Sequence, residues 1–226
     1  MPPTDGAMAE FIVVRSDQCH LLPAGMDDGI GAMIEPTAVA LHAINQSGTV
    51  SGKRILVTGG GTIGLLTALI AKAFGAVAVV VSEIIEERRR SALSCGVDFV
   101  MDPSNLQKHS RDIAANGFDI VFEASGAASA LRQSFDLVRP GGTIVQIGTT
   151  GMQDIPLPVN QLMVKEIRIV GSFRYTNVFD EAIRLVDAGK INLKPLITDV
   201  LSFQQITRAM NLAADKVNAL KVQLQF

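Results

Sequence analysis

Cysteine is scarce in this sequence: Cys19 and Cys95 are the only two in 226 residues, and they form no C-x-x-C pair. Two cysteines cannot make a disulfide framework and suit a reducing compartment, so a cytoplasmic location is expected. An excess of either charge is also missing. Twenty Lys and Arg against 22 Asp and Glu leave a formal charge of -2, which offers no footprint for nucleic acid or an anionic membrane surface. No long apolar run survives intact either. Residues 55–81 are interrupted by Gly59, Gly60, Gly61, Lys72 and Gly75, leaving pieces shorter than the roughly 20 residues of a membrane-spanning helix. The start, MPPTDGAMAE, has no basic stretch leading into an apolar one, so no secretory signal is expected.

What is present is ample core material: 48% of residues are hydrophobic and 19% charged. From Arg54 onward, short runs rich in Val and Ile alternate with longer amphipathic ones, the pattern of βαβ units around a parallel sheet. Strands are predicted at 54–59, 76–83, 99–102, 118–125, 142–148 and 166–173. Their near-continuous apolar character implies helices on both faces. Helices fit at 63–74, 85–94 and 128–138, the last stopped by RPGG. The predicted fold class is therefore α/β, a Rossmann doubly wound parallel sheet of about six strands. Residues 6–14 read as one strand, EPTAVALHAINQ as a helix entered with Pro36 at its first position, and ALKVQLQF as a final period-2 strand without an obvious partner.

Gly59, Gly61 and Gly64 spell G-x-G-x-x-G, a weak signal alone. Here it directly follows a predicted strand and opens a predicted helix, and Glu83 closes the next strand 19 positions after Gly64. That context reads as a dinucleotide fingerprint: Gly59 for the tight turn, Gly61 for approach of a pyrophosphate, Gly64 for close packing of helix and strand. Glu83 would accept from ribose hydroxyls and repel a 2′-phosphate, favouring NAD over NADP. Arg88, Arg89 and Arg90 weaken that preference, because one could turn toward a phosphate. No Lys-Ser or Lys-Thr follows the loop, which excludes a Walker-type phosphate loop. The only tyrosine, Tyr175, is followed four residues later by Phe179, so the Tyr-x-x-x-Lys pair of short-chain dehydrogenases is missing. A methyltransferase loop stays an alternative at this point, although such loops usually follow an acidic residue, whereas Thr58 stands here.

The segments GGGTIGLL, FEASG, RPGGTIVQIG and GSFRYTNVFDEAIRLVDAGKINLKPLIT together resemble the medium-chain zinc-dependent dehydrogenases, and within them the branch of sorbitol and L-idonate 5-dehydrogenases. The resemblance implies hydride transfer from a secondary alcohol of a polyol or sugar acid to NAD, with zinc stabilising the alkoxide. It implies cofactor contacts at Gly59, Gly61, Thr62, Ile63, Gly64, Glu83, Arg88, Ser125, Gly126, Ile147, Gly148, Thr149, Ser172, Phe173 and Arg174. It also implies substrate contacts at Glu35, Arg174 and Tyr175, with Glu35 beside the zinc as a catalytic carboxylate. Simpler roles stand beside these: Glu35 could merely favour a helix dipole, Arg174 could be a surface ion pair, and Tyr175 a packing residue.

The same resemblance divides the chain into 1–46, a remnant of a GroES-like catalytic domain with its linking helix, 47–175, the NAD-binding domain, and 176–226, the end of the cofactor domain and the return to the catalytic domain. The front of that domain, with the zinc ligands, is expected to be absent, and the chain to be inactive alone. No complete metal site is expected from its own residues. Cys19 and His20 would point to opposite sides of an extended segment, His42 lies about 10 Å along a helix from Glu35, and His109 reads as solvated. The family implies a homo-oligomer, dimer or tetramer, and DIPLPVNQ reads as an extended edge segment. A non-catalytic NAD(H)-binding module and a zinc-independent quinone-type reductase are the alternatives.

Overall fold

The computed structural model describes residues 6–226. After an irregular, mostly exposed start come α1 (Asp28–Gly31) and α2 (Ile34–Ser47), then β1 (Arg54–Thr58), α3 (Thr62–Ala73), β2 (Ala78–Ser82), α4 (Glu86–Ser94) and β3 (Phe99–Met101). The chain continues through α5 (Pro103–Ile113), β4 (Phe118–Glu123), α6 (Ala128–Leu137), β5 (Val138–Gln146), α7 (Val159–Val164) and β6 (Arg168–Gly171). It closes with α8 (Phe179–Asp187), β7 (Ile197–Ser202), α9 (Ile206–Ala213) and β8 (Lys221–Gln225).

Six strands form one parallel sheet in the order β3-β2-β1-β4-β5-β6. Strand direction never reverses, so each crossover carries a connection over a face, and the order turns outward on either side of β1 and β4. This is the doubly wound topology, with its switch point between those two strands.

Alternation along the strands builds two cores. Ile55, Val57, Val79, Val81, Ile120, Phe122 and Val145 pack on one face against α2, α3 and α8. Leu56, Val80, Val121 and Ile144 pack on the other against Leu106 of α5 and Leu131 and Phe135 of α6. Successive strand side chains point to opposite faces, and because both faces are covered, both sets are apolar.

Several expectations need correction. No strand forms in 6–14, where the described residues are exposed: its pairing groups find no neighbouring strand. Met33 is the N-cap of α2, which places Pro36 third rather than first; the third N–H of a helix has no intrahelical acceptor either, so proline is tolerated there. The final strand does have a partner, since β8 pairs in parallel with β7. Residues 154–158 are irregular and α7 starts at Val159, so DIPLPVNQ is not one extended segment. β5 begins at Val138 rather than Gly142, and its register against β4 shifts between the Phe118 and Ile120 pairs. Pro140 and Gly141 are exposed at that bulge, which spares proline a ladder bond it cannot donate.

Candidate functional site

The glycine turn leaves β1 at the switch point. Gly59 has φ +95°, and a Cβ there would lie 2.9 Å from the Ser125 backbone, so both its conformation and the close approach of the loop after β4 require glycine. A Cβ on Gly64 would lie 2.0 Å from the Gly59 carbonyl oxygen, which is how tightly α3 packs on the turn. Gly61 differs. Its backbone is extended, and a Cβ there would meet only the Arg88 Nη1 at 3.9 Å, so the space its missing side chain leaves stays open.

Gly61 is also the N-cap of α3 and supplies no side-chain acceptor. The first N–H groups of a helix have no intrahelical partner, and the helix dipole adds partial positive charge there. The first bond into the helix runs from the Leu65 N–H to the Gly61 carbonyl, 2.9 Å. Free donors, positive potential and open space together suit a phosphate.

Glu83, just past β2, is buried. Its carboxylate accepts from the Gly60 N–H at 2.8 Å and the Ile85 N–H at 2.9 Å, locking the glycine turn to the loop that follows β2. A carboxylate has about four acceptor positions, so capacity remains for a ligand hydroxyl. The three arginines separate. Arg89 is occupied by the Glu83 and Ile84 carbonyls and by Asp102 at 3.1 Å. Arg90 pairs with Glu86 along α4. Arg88 lies at the cavity, donates to the Ala219 carbonyl at 3.2 Å, and has a buried Nε without a partner.

A cavity of about 470 Å³ joins these groups, lined among others by Gly59, Gly61, Glu83, Arg88, Ser125 and Lys216. The dinucleotide fits what is present here: a glycine cradle, uncapped helix donors and a carboxylate beside them. Lys216, from the loop after α9, carried no sequence signal that separates it from an ordinary surface lysine.

The other anticipated residues lie outside that lining. Thr62 anchors the end of the chain through its hydroxyl to the Leu220 carbonyl at 2.7 Å, while Ile63 stands beside it in the first turn of α3. Gly126 and Thr149 are brought together: a Cβ on Gly126 would lie 2.6 Å from the Thr149 carbonyl oxygen. The Ile147 and Gly148 N–H groups both donate to the Glu123 carbonyl at 2.8 Å. Ser172 is buried with its hydroxyl unpartnered, and its N–H donates to the Gln146 carbonyl at 2.8 Å. Phe173 is 80% exposed, under the Arg174 guanidinium at 5.3 Å, and Arg174 has φ +54°. Tyr175 packs on Phe179 at 5.7 Å, and Phe179 in turn stacks on His20 at 4.5 Å. Glu35 is exposed in the first turn of α2.

Among the described residues no three of His, Cys, Asp or Glu gather as a metal requires, so zinc does not fit these residues alone. Among them, too, no helix is long and apolar enough to cross a membrane. Three carboxyls have lowered pKa values. Asp102, the N-cap of α5, is held down by its bonds from Ser104 and then by Arg89. Asp215 is held down chiefly by Asn218 and Val217. For Asp119, desolvation pushes upward but is outweighed by the Arg54 N–H and the Arg139 and Lys53 charges. Cys95 is shifted up by burial.

A doubly wound sheet with an uncapped glycine turn at its switch point defines a Rossmann-type α/β protein. The chain belongs to the zinc-binding dehydrogenase family, whose profile matches residues 62–188. It is 34% identical over 225 residues to L-idonate 5-dehydrogenase (NAD(P)(+)) of Escherichia coli K12, covering 100% of this chain and 65% of that protein. It is 36% identical to D-xylulose reductase A of Aspergillus niger, covering 92% of this chain and 60% of the relative. The crystal structure of L-idonate 5-dehydrogenase from E. coli K-12 superposes with a TM-score of 0.88 at 35% identity, over 95% of this chain and 62% of that one. A zinc-binding dehydrogenase structure from Sinorhizobium meliloti 1021, bound to NADP, gives 0.87 at 30% identity, over 97% and 65%. The chain thus spans about three-fifths of the length of the relatives it matches.

Proposed function

We propose that this chain is the cofactor-binding part of an NAD-dependent oxidoreductase that oxidises a secondary alcohol of a polyol or sugar acid. The observation that carries the reading is the open space at Gly61 over the uncapped start of α3, with Glu83 fixed beside it. The family and the L-idonate and D-xylulose relatives support the substrate class.

In this reading the pyrophosphate rests on the N–H groups at the start of α3, and Glu83 accepts from the adenosine ribose. Arg88 and Lys216 flank that end. Thr62, Ile63, Ser125 and Gly126 follow the cofactor across the switch point. Ile147, Gly148, Thr149, Ser172 and Phe173 line its nicotinamide end, and Arg174, Tyr175 and Glu35 serve the substrate. Bound, the cofactor supplies hydride acceptance; the protein supplies position, electrostatics and exclusion of water. Residues 1–46 are a remnant of a catalytic domain with its linking helix, and 176–226 end the cofactor domain and return to the catalytic domain. That domain brings the zinc ligands, the intact protein forms a homo-oligomer in the cytoplasm, and the chain alone does not turn over.

Thermal unfolding against NADH and NADPH tests this. A ligand at about 100 times its Kd stabilises the folded state by roughly 2.7 kcal/mol. A larger shift with NADH than with NADPH is expected. A shift with NADPH alone would contradict the role of Glu83 and favour the quinone-type alternative.

A further inference from the structure

Glu123 ends β4 at the switch point with no solvent exposure. One carboxylate oxygen accepts from the Ser125 N–H at 2.9 Å, the Gly126 N–H at 3.0 Å, the Thr58 hydroxyl at 3.3 Å and the Ser125 hydroxyl. The other accepts from the Gln146 amide Nε2 at 2.7 Å and, more distantly, from Gly126 at 3.3 Å. Gln146 is oriented by its second bond, Nε2 to the Gly148 carbonyl at 2.6 Å, although this leaves its Oε1 buried without a partner. Turned over, that oxygen would face the carboxylate. Gly148 has no room for a side chain, since a Cβ would lie 2.7 Å from the Glu123 Oε2 and 2.3 Å from the Gly126 nitrogen.

Every one of these partners is a neutral donor. Among the described ion pairs none includes Glu123. A buried carboxylate held by neutral dipoles is costly compared with a neutral side chain of the same shape. The charge itself therefore calls for a role beyond tying loops together.

We infer that Glu123 is a positioning residue whose buried charge, set beneath the Ser125–Gly126 and Gln146–Gly148 loops, biases the crevice toward the oxidised dinucleotide. This rests on the cofactor reading above. The oxidised nicotinamide ring carries a positive charge that the reduced ring lacks, whereas the pyrophosphate charge is common to both forms. The ratio of the two affinities thus isolates the ring charge from everything else the site does. A unit charge within about 10 Å at an effective dielectric near 20 changes a binding constant by roughly tenfold.

The test is a titration of the 226-residue chain with NADH, followed by fluorescence, and displacement by NAD. In Glu123→Gln the preference for NAD over NADH should fall by about three- to tenfold. Glu123→Asp should keep the preference within about twofold even where both forms bind less tightly. Equal weakening of both forms in Glu123→Gln would overturn the inference and leave a purely structural carboxylate. Should Glu123→Gln fail to fold, Glu123→Met decides, because it removes the charge while keeping a side chain of similar length. A preference for NAD lowered by about three- to tenfold there supports the inference, and an unchanged ratio overturns it. Wild-type chain that binds neither form would overturn the cofactor reading itself, and this inference with it.

Discussion

On the β2 side of β1, the glycine turn is tied to its neighbour by a carboxylate that lines the cavity: Glu83 reaches the Gly60 and Ile85 N–H groups directly. On the β4 side, the loops are tied by Glu123, which is wholly enclosed, while the loop after β6 leaves Phe173 80% exposed beside an Arg174 with φ +54°. Both sides contain backbone contacts too close to accept a Cβ, at Gly59 and Gly64 and again at Gly126 and Gly148. The second side is fixed at its base and exposed at its rim. Binding at the first therefore needs little ordering, whereas residues such as Phe173 and Arg174 must lose side-chain freedom to hold a ligand.

The sharpest way to break that contrast is Gly64→Ala. A methyl group 2.0 Å from the Gly59 carbonyl oxygen cannot be accommodated without moving α3, and a loss of about 2–4 kcal/mol in urea unfolding is expected. Gly61→Val, in the same motif but with open space at its Cβ, should keep stability within about 1 kcal/mol. NADH affinity should nevertheless fall at least about tenfold, or about 1.4 kcal/mol, as read by calorimetric titration. Equal effects of the two substitutions on stability would remove the distinction between a packing glycine and a ligand-space glycine.

Asp119, at the opposite end of β4, separates sheet stability from the loops. Its carboxylate accepts from the Arg54 N–H at 2.8 Å and the Arg139 Nε at 2.7 Å. Because its folded pKa lies below the ordinary 3.8, its contribution is present above that value and is lost as pH falls through the folded pKa. Asp119→Asn should therefore cost about 1 kcal/mol at pH 7, with the difference from wild type closing in the acid range below about pH 4; NADH affinity at pH 7 should not change. The smallest effect is expected at Phe173→Ala, within about 0.5 kcal/mol in unfolding, because the ring is solvated on the free chain.

The legible parts of the sequence were those with a period or a spacing. Val and Ile runs marked all six strands of the large sheet, and three glycines followed by Glu83 marked the turn and its neighbour. α5 had a readable start as well, an Asp102 cap followed by Pro103, but its polar composition hid the apolar stripe. β7 was hidden by the polar residues of ITDVLS, and its pairing with β8 is a long-range contact that no local pattern reports. Glu123 was invisible for a different reason. A glutamate ending a strand reads as solvated, and only the fold brings Thr58, Ser125, Gly126 and Gln146 around it.

Amide hydrogen exchange of the chain with and without NADH reads directly where a dinucleotide meets the backbone. Slowed exchange at Gly61, Thr62, Ile63 and Gly64, joined by the Glu83–Arg88 segment, is the expected result, since those N–H groups have no helical acceptor of their own. Protection that spares 61–64 while appearing elsewhere, or no change at saturating NADH, would contradict the assignment of the glycine turn as the cofactor cradle.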